Sequence, residues 1–307
     1  MGQTAVVTAG TGGIGLETAL GLAKAGFSVI VVGRDPERGA KAVKRIDEAA
    51  HLSAATPGNP AAARFFAADL GSLDEVRGLA GRITALDEPL TVLVNNVGAM
   101  FPDKHHRDGV EATFVVNHLS PYLLTELLLP TLTASGPSRV VNVTSGAVAL
   151  AKRVFNGVEP PGGYYGFHWY GRAKLANLAY TLDLAKRLLG TGVSVFAADP
   201  GGAATDMTDG TARHPKIVSP GLRLLWPLMR RKIERSTSGP ASVAARPSIV
   251  AATDESLTGR TGLVIGPKAT PVPPFRTATD PRVAAAVRQL SERHAPLAER
   301  DPDALSS

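Results

Sequence analysis

Cysteine is absent from the chain, which excludes disulfides and thiolate metal sites and fits a reducing cytoplasm. Also missing is any run of about 20 uncharged apolar residues, the length a bilayer-spanning helix needs. The apolar stretch Gln3 to Thr8 has no basic segment ahead of it, so no signal peptide is expected. Concentrated positive charge is scarce. The formal net charge is +6, yet apart from Arg230-Arg231-Lys232 and Arg235 the excess is scattered. With no recognition motif beside it, this distribution favours a solvated surface, or attraction for a phosphate-rich small molecule, over nucleic acid. None of the seven histidines forms a metal-ligand spacing, and the adjacent His105 and His106 cannot share a helical face, so no metal site is expected. No internal repeat or domain linker is visible. These absences point to a soluble cytoplasmic protein without a membrane span.

What is present is alternation. Short β-branched runs (Ala5 to Thr8, Val29 to Val32, Arg64 to Ala67, Val92 to Val94, Val140 to Val143, Val193 to Ala197, and a last one at Gly262 to Ile265) predict seven strands. Between the first six lie amphipathic stretches at Gly13 to Ala25, Pro36 to Ala50, Leu73 to Leu86, Val110 to Leu132 and Ala173 to Leu189. Strands nearly continuous in Val and Ile, separated by helices, belong to a parallel sheet covered on both faces. The expected fold is therefore α/β, doubly wound, with a mainly parallel seven-stranded sheet and helices on both faces. Residues 1–307 are expected to form one domain, with helices also at Pro240 to Thr253 and Pro281 to His294. A lid is expected over about 205–238 and a tail over about 267–307.

Three constellations carry chemistry. The first strand runs through Thr8-Ala9-Gly10-Thr11-Gly12-Gly13-Ile14-Gly15 straight into a helix. Missing Cβ atoms there let backbone N–H groups approach a pyrophosphate, and the helix N-terminus adds a favourable partial charge. Asp35, just past the second strand, lies near the spacing at which a dinucleotide-binding fold places an acid for the ribose. Second, Tyr170 and Lys174 are four apart on one helical face. A free phenol titrates near pH ~10, and a neighbouring ammonium is expected to lower that value. Tyr164 and Tyr165 have His168 and Trp169 at their i+4 places, so only Tyr170 has the lysine. Third, Ser145 ends a strand in Val143-Thr144-Ser145-Gly146, where a hydroxyl can steady a developing negative charge. Thr144 is its rival.

These motifs resemble the short-chain dehydrogenase/reductase family, over roughly residues 3 to 265. The glycine-rich entry looks like that family's T-G-x-x-x-G-x-G, with Ala9 in the first glycine place and Gly10 expected to absorb the strain. Tyr170-Gly171-Arg172-Ala173-Lys174-Leu175-Ala176-Asn177 closely resembles the Y-x-x-S-K-L-A-N run of its retinol-dehydrogenase-like members. The 25 residues from Ser145 to Tyr170 resemble the expanded loop of that branch. Asn95-Asn96-Val97-Gly98 is similar to the family's N-N-A-G, and Val115-Val116-Asn117-His118 contains the asparagine of its fourth catalytic position.

The resemblance implies a Rossmann fold and an NAD(P)(H)-dependent oxidoreductase acting on C=O or CH–OH groups. It assigns Asn117, Ser145, Tyr170 and Lys174 to catalysis. Cofactor contacts are expected from Gly10, Thr11, Gly13, Ile14, Gly15, Asp69, Leu70, Asn96, Val97, Gly98, Tyr170, Lys174, Pro200, Gly201, Ala203 and Thr205. Gly33 falls where NAD-preferring relatives carry an acid, and Arg34 where NADP-preferring ones carry a base, so NADP(H) is expected over NAD(H). His118 is expected to be structural. The resemblance also implies homo-oligomers. Phe155, Tyr164, Tyr165, Phe167 and Trp169, with Met207 and the segment Leu222 to Met229, are expected to line a pocket for a small hydrophobic carbonyl or alcohol. The wider segment Leu222 to Ile233 reads as a lid, an interface or a membrane-surface contact. Rival readings are a reductase of C=C or C=N bonds on the same scaffold, and a non-enzymatic NADP(H)-binding regulator.

Overall fold

The computed structural model describes residues 3–53, 62–151, 155–159, 163–201, 218 and 239–297. Its strands are β1 (Thr4–Thr8), β2 (Ser28–Gly33), β3 (Ala63–Ala67), β4 (Leu90–Asn95), β5 (His106–Arg107), β6 (Val110–Glu111), β7 (Ser138–Val143), β8 (Val193–Ala198), β9 (Leu263–Ile265) and β10 (Pro271–Val272). Its helices are α1 (Gly13–Lys24), α2 (Pro36–Ser53), α3 (Leu73–Thr84), α4 (Ala112–Phe114), α5 (Ser120–Ala134), α6 (Gly166–Arg187), α7 (Ala241–Ala244), α8 (Arg246–Thr253) and α9 (Pro281–His294).

The seven runs read as strands pair in parallel in the order β9-β8-β7-β4-β1-β2-β3. An eighth, β10, joins β9 antiparallel; two residues beginning with proline carry no periodic signal. Side chains alternate across the sheet because successive Cβ atoms point to opposite faces. Val6, Ile30, Leu93 and Val140 pack with α3, α5, α6 and α9 through Val76, Leu123, Leu178 and Val287. Val7, Val31, Val94 and Val141 pack with α1, α2 and α8 through Leu16, Ile46 and Ala251. Strand order reverses between β1 and β4, which opens the crevice at their carboxyl ends where doubly wound sheets bind ligands.

Two helix boundaries differ from the sequence reading. Val110 and Glu111 are strand, because Asp108 and Gly109 both adopt positive φ (51° and 73°) and turn a hairpin between β5 and β6. The Glu111 carboxylate then accepts the Thr113 and Phe114 amides and starts α4. Next comes a π-helical turn, Val115–Leu119, before α5. The second difference is α6, which begins seven residues ahead of Ala173, at Gly166. A side chain there would meet the Phe101 carbonyl at 2.4 Å, so glycine lets the helix start against that backbone.

Among the described residues no helix is long and apolar enough to cross a membrane. The expected lid, with Met207 and Leu222 to Ile233, and the contacts Ala203 and Thr205 lie outside the described residues apart from Val218.

Candidate active site

The glycine-rich turn lies at the strand-order reversal. α1 begins after Gly12 with no side-chain cap and no acid in its first turn, so its N-terminal amides and dipole are left for an anion. Gly15 has no room for a side chain: a Cβ would meet the Ala9 carbonyl at 2.2 Å and Asn96 Nδ2 at 2.5 Å. Ala9 itself takes the positive φ of the turn, 50°. The expectation that Gly10 absorbs this strain therefore fails; Gly10 is needed for space, since a Cβ there would lie 2.8 Å from Val31. The loop after β4 closes the other side. Asn96 Nδ2 donates to the Thr8 carbonyl at 3.1 Å, and the Asn96 and Val97 amides donate to Thr8 Oγ1 at 2.9 and 3.1 Å.

At the end of β2, Asp35 Oδ1 accepts the Glu37 and Arg38 amides at 2.9 and 3.2 Å. That makes it the cap of α2, and the spacing that suggested a ribose ligand is met by a capping residue. Arg34 is exposed beside it. Arg38, which the sequence reading missed, brings Nη2 to 2.6 Å from where a side chain at Gly12 would begin. Its signal was present, because Arg34 and Arg38 are four apart where α2 begins. Asp69 accepts the Gly71 amide at 2.9 Å and pairs with Arg107 at 3.1 Å. The Leu70 carbonyl accepts from Ser120 Oγ at 2.5 Å. After β8 come Pro200 and Gly201, the latter at φ 69° with its amide donating to Asp199 Oδ1 at 2.9 Å.

Beneath the carboxyl edge a buried polar ladder ties the elements together. Asn95 Nδ2 donates to Asn142 Oδ1 at 2.8 Å, and Asn142 Nδ2 donates to Thr181 Oγ1 at 2.9 Å. α6 is thereby registered against β4 and β7, and its N-terminal half carries Tyr170 and Lys174 to the crevice. Ser145, half-buried, accepts the Ala147 amide at 3.2 Å and lies close enough to the Tyr170 phenol to lower its pKa. Its rival Thr144 is buried, with no partner for Oγ1 among the described residues. Lys174 Nζ donates to the Val143 carbonyl at 2.9 Å and the Val97 carbonyl at 3.3 Å. Asn117 Nδ2 donates to the Ala99 and Thr113 carbonyls at 2.7 and 2.8 Å. Both Asn117 and Lys174 reach Gly98, where a side chain would lie 3.3 Å from Asn117 Oδ1 and 3.6 Å from Lys174 Nζ.

The electrostatics differ from expectation. Burial pushes the Tyr170 phenol up to about 12; the neighbouring Ser145 hydroxyl lowers it and the Asp199 carboxylate raises it further. Burial pushes the Lys174 amine down to about 7. The ammonium, 5.9 Å from the phenol ring centroid, does not offset the loss of solvation, so each group favours its neutral form. Asp199 is itself raised by burial.

The expected pocket wall is only partly one. Phe155 is buried with the Arg172 guanidinium 4.0 Å above its ring. Trp169 is buried against Tyr164, 4.9 Å between ring centroids, and the Tyr164 hydroxyl donates to the Phe101 carbonyl at 2.9 Å. Phe155 and Trp169 are thus packed inside the protein, whereas Tyr164, Tyr165 and Phe167 are half-buried.

A close glycine turn feeding an uncapped helix, at the reversal of a parallel sheet, defines a Rossmann-fold nucleotide-binding protein. Residues 3–216 match the family model described as short chain dehydrogenase. Retinol dehydrogenase 12 of Mus musculus is 37% identical over 239 residues, 78% of this chain and 71% of the relative. Retinol dehydrogenase 13 of Homo sapiens is 35% identical over 265 residues, 85% of this chain and 75% of the relative. A crystal structure of an uncharacterized protein from Mycobacterium paratuberculosis superposes with TM-score 0.70 at 27% identity, covering 95% of this chain and 92% of that one. The Pseudomonas aeruginosa RhlG/NADP active-site complex superposes with TM-score 0.65 at 27% identity, covering 86% and 94%. The chain belongs to the short-chain dehydrogenase/reductase family, in its retinol-dehydrogenase-like branch. It is an NAD(P)-dependent oxidoreductase acting on alcohol and carbonyl groups.

Proposed function

We propose that the chain is an NADPH-dependent reductase of ketones or aldehydes on hydrophobic small molecules, and oxidises the matching alcohols in reverse. The observation that carries this reading is a buried Tyr170 phenol, held neutral by its burial, with Ser145 beside it at the crevice. The cofactor fits the residues present: the N-terminus of α1, with no side-chain cap and no acid in its first turn, suits a pyrophosphate. Contacts would come from Gly10, Thr11, Gly13, Ile14, Gly15, Asn96, Val97, Gly98, Pro200 and Gly201, with Asp69 and Leu70 toward the adenine. When bound, NADPH supplies the hydride. Ser145 then holds the carbonyl oxygen and Tyr170 gives it the phenolic proton. Lys174, in its ammonium form, stabilises the phenolate, and Asn117 holds the water through which solvent returns the proton to it.

The substrate class rests on the retinol dehydrogenase relatives and is tested by turnover. A panel of all-trans-retinal, aromatic aldehydes and cyclic ketones with deuterated NADPH should give alcohols labelled on the carbinol carbon. Label on a former C=C or C=N carbon instead would establish the alternative reductase. Tight NADPH binding with no turnover of any panel member would leave the regulator reading. A cytoplasmic location, a single domain under a 205–238 lid, and homo-oligomers belong to the same proposal. Pairing through α5 and α6 would have to leave room for α9, which lies against α6.

Cofactor preference is carried by Arg34, exposed just past β2, with Arg38, whose guanidinium lies against Gly12 of the turn; both are suited to the 2′-phosphate. Arg34→Ala should cut the ratio of kcat/KM for NADPH over NADH by roughly ten- to a hundredfold, the worth of one charge-assisted contact. An undiminished ratio removes Arg34 from the site.

A further inference from the structure

We propose that the C-terminal helix α9 positions Asn117: a buried hydrogen bond between His118 and Ser291 locks the π-turn Val115–Leu119 in the register that aims Asn117 at Ala99 and Gly98. The inference rests on the reading of Asn117 given above, and concerns a helix that lies beyond the segment matched by the family model.

A π-turn holds one residue more than an α-turn, and such turns occur mostly as single insertions, often at functional sites. Relaxation to regular α-helix shifts the register by one residue, which rotates a side chain by about 100°. Asn117 would leave its partners. Something outside the helix must therefore hold the turn, and three locks do so. The Asn117 side chain pairs with the backbone of Ala99, accepting its amide at 3.2 Å and donating to its carbonyl at 2.7 Å. Asn177 Nδ2, on α6, donates to the Asn117 carbonyl at 2.9 Å. His118 Nε2 lies 2.7 Å from Ser291 Oγ, a contact spanning 173 residues of sequence.

The last lock is fully enclosed. His118 and Ser291 both have no exposed surface, and the imidazole stands among the rings of Phe114, Tyr122 and Tyr180. Its polarity follows from the network. Ser291 Oγ donates to the Val287 carbonyl at 2.7 Å, so it accepts from His118, and the imidazole carries its proton on Nε2. The other nitrogen, Nδ1, is buried without a partner among the described residues, as suits a bare lone pair rather than an N–H. α9 is held firmly enough to serve as an anchor. Val283, Val287 and Leu290 are buried in the core on one face of it, Arg288 pairs with both oxygens of Asp183 at 2.7 Å, and Arg77 donates to the Leu297 carbonyl at 2.9 Å just past its end.

The test compares His118→Asn with His118→Gln. A glutamine amide nitrogen reaches about as far from Cβ as Nε2 and can still donate to Ser291, whereas asparagine is too short. Both are made with and without Asn117→Ala, assayed with NADPH and all-trans-retinal, and followed by amide hydrogen exchange over residues 113–120. Expected for His118→Asn are faster exchange across 115–119 and a kcat lower by about tenfold, roughly one hydrogen bond's worth, at unchanged KM for NADPH. His118→Gln should recover most of both, and in the Asn117→Ala background His118→Asn should add less than about twofold, since coupled residues are not additive. The lock is overturned if exchange over 115–119 is unaltered, if glutamine does no better than asparagine, or if the two losses simply multiply. A kcat untouched by Asn117→Ala alone would refute the role of Asn117 instead, and exchange would still decide whether His118 holds the turn. If the protein turns over no retinal, exchange decides alone. Should His118→Asn fail to fold, Ser291→Ala against Ser291→Thr makes the same comparison from the other side.

Discussion

Tyr170→Phe should lower kcat for carbonyl reduction by about 10²- to 10⁴-fold, the range a positioned general acid contributes, while the Kd for NADPH stays within about twofold. The phenol is buried beside Ser145, with its pKa pushed up to about 12 by desolvation first of all. Throughout the neutral range it is therefore protonated, the form that carbonyl reduction needs. Reduction should show no fall from loss of this proton until well into alkaline pH, whereas alcohol oxidation, which needs the phenolate, should rise with pH over the same range. Phenylalanine keeps the ring in place, so NADPH titration by fluorescence should find the nucleotide site unchanged. Tyr164→Phe is the control. Its hydroxyl donates to the Phe101 carbonyl and is also pushed up to about 12 by burial, but it has no lysine four residues on. Its loss should cost about 1 kcal/mol of stability and less than tenfold in kcat. Near-wild-type turnover by Tyr170→Phe on any substrate the wild type reduces would end the acid/base assignment.

How far the sequence carried the fold depended on whether a feature was local. β1, β2, β4, β7 and β8 announce themselves because strands buried on both faces are largely apolar, and Val recurs in every one of them. The glycine turn was legible for a similar reason: Gly15 stands where a carbonyl and an amide leave no space for a Cβ. Tyr170 and Lys174 share a helical face through spacing alone. What the sequence hid depends on distant partners. The hairpin ahead of α4 rests on positive φ at Asp108, with its carboxylate accepting the Leu73 amide at 2.8 Å, a contact that no local periodicity encodes. The π-turn looks like ordinary helix in composition. Nor could spacing give the sign of the Tyr170 shift, because the depth of burial, and not the presence of an ammonium, decides it. Aromatic side chains read as pocket wall proved to be packing at Phe155 and Trp169, since a ring's chemistry does not say which of the two it does.

Acid should unfold this protein through His118, and His118→Gln should remove most of that sensitivity. Desolvation pushes the folded imidazole down from 6.5 to about 3. Protonation would place an N–H on Nδ1, a buried atom with no partner among the described residues, so above about pH 3 the proton is taken up as the fold opens. Between those two pH values the unfolded chain binds more protons than the folded one, and stability must fall as pH falls. The slope approaches about 1.4 kcal/mol per pH unit, which over the full window amounts to roughly 5 kcal/mol, on the order of half of an ordinary domain's stability. Above pH 6.5 both states are neutral at this position and the term vanishes; there His118→Gln should be slightly the less stable protein, because an amide fits the ring-lined cavity poorly. The two stability curves should therefore cross below pH 6.5, with the variant ahead by about 2 to 3 kcal/mol near pH 4. Glu111 and Asp199, both raised by burial, titrate in part of the same range, but they are common to both proteins and cancel in the difference. Urea unfolding at several pH values between 4 and 8 measures that difference directly. Parallel curves would mean that the imidazole finds an acceptor for its second proton, and that the cavity around His118 is less closed than its rings and the Ser291 bond make it.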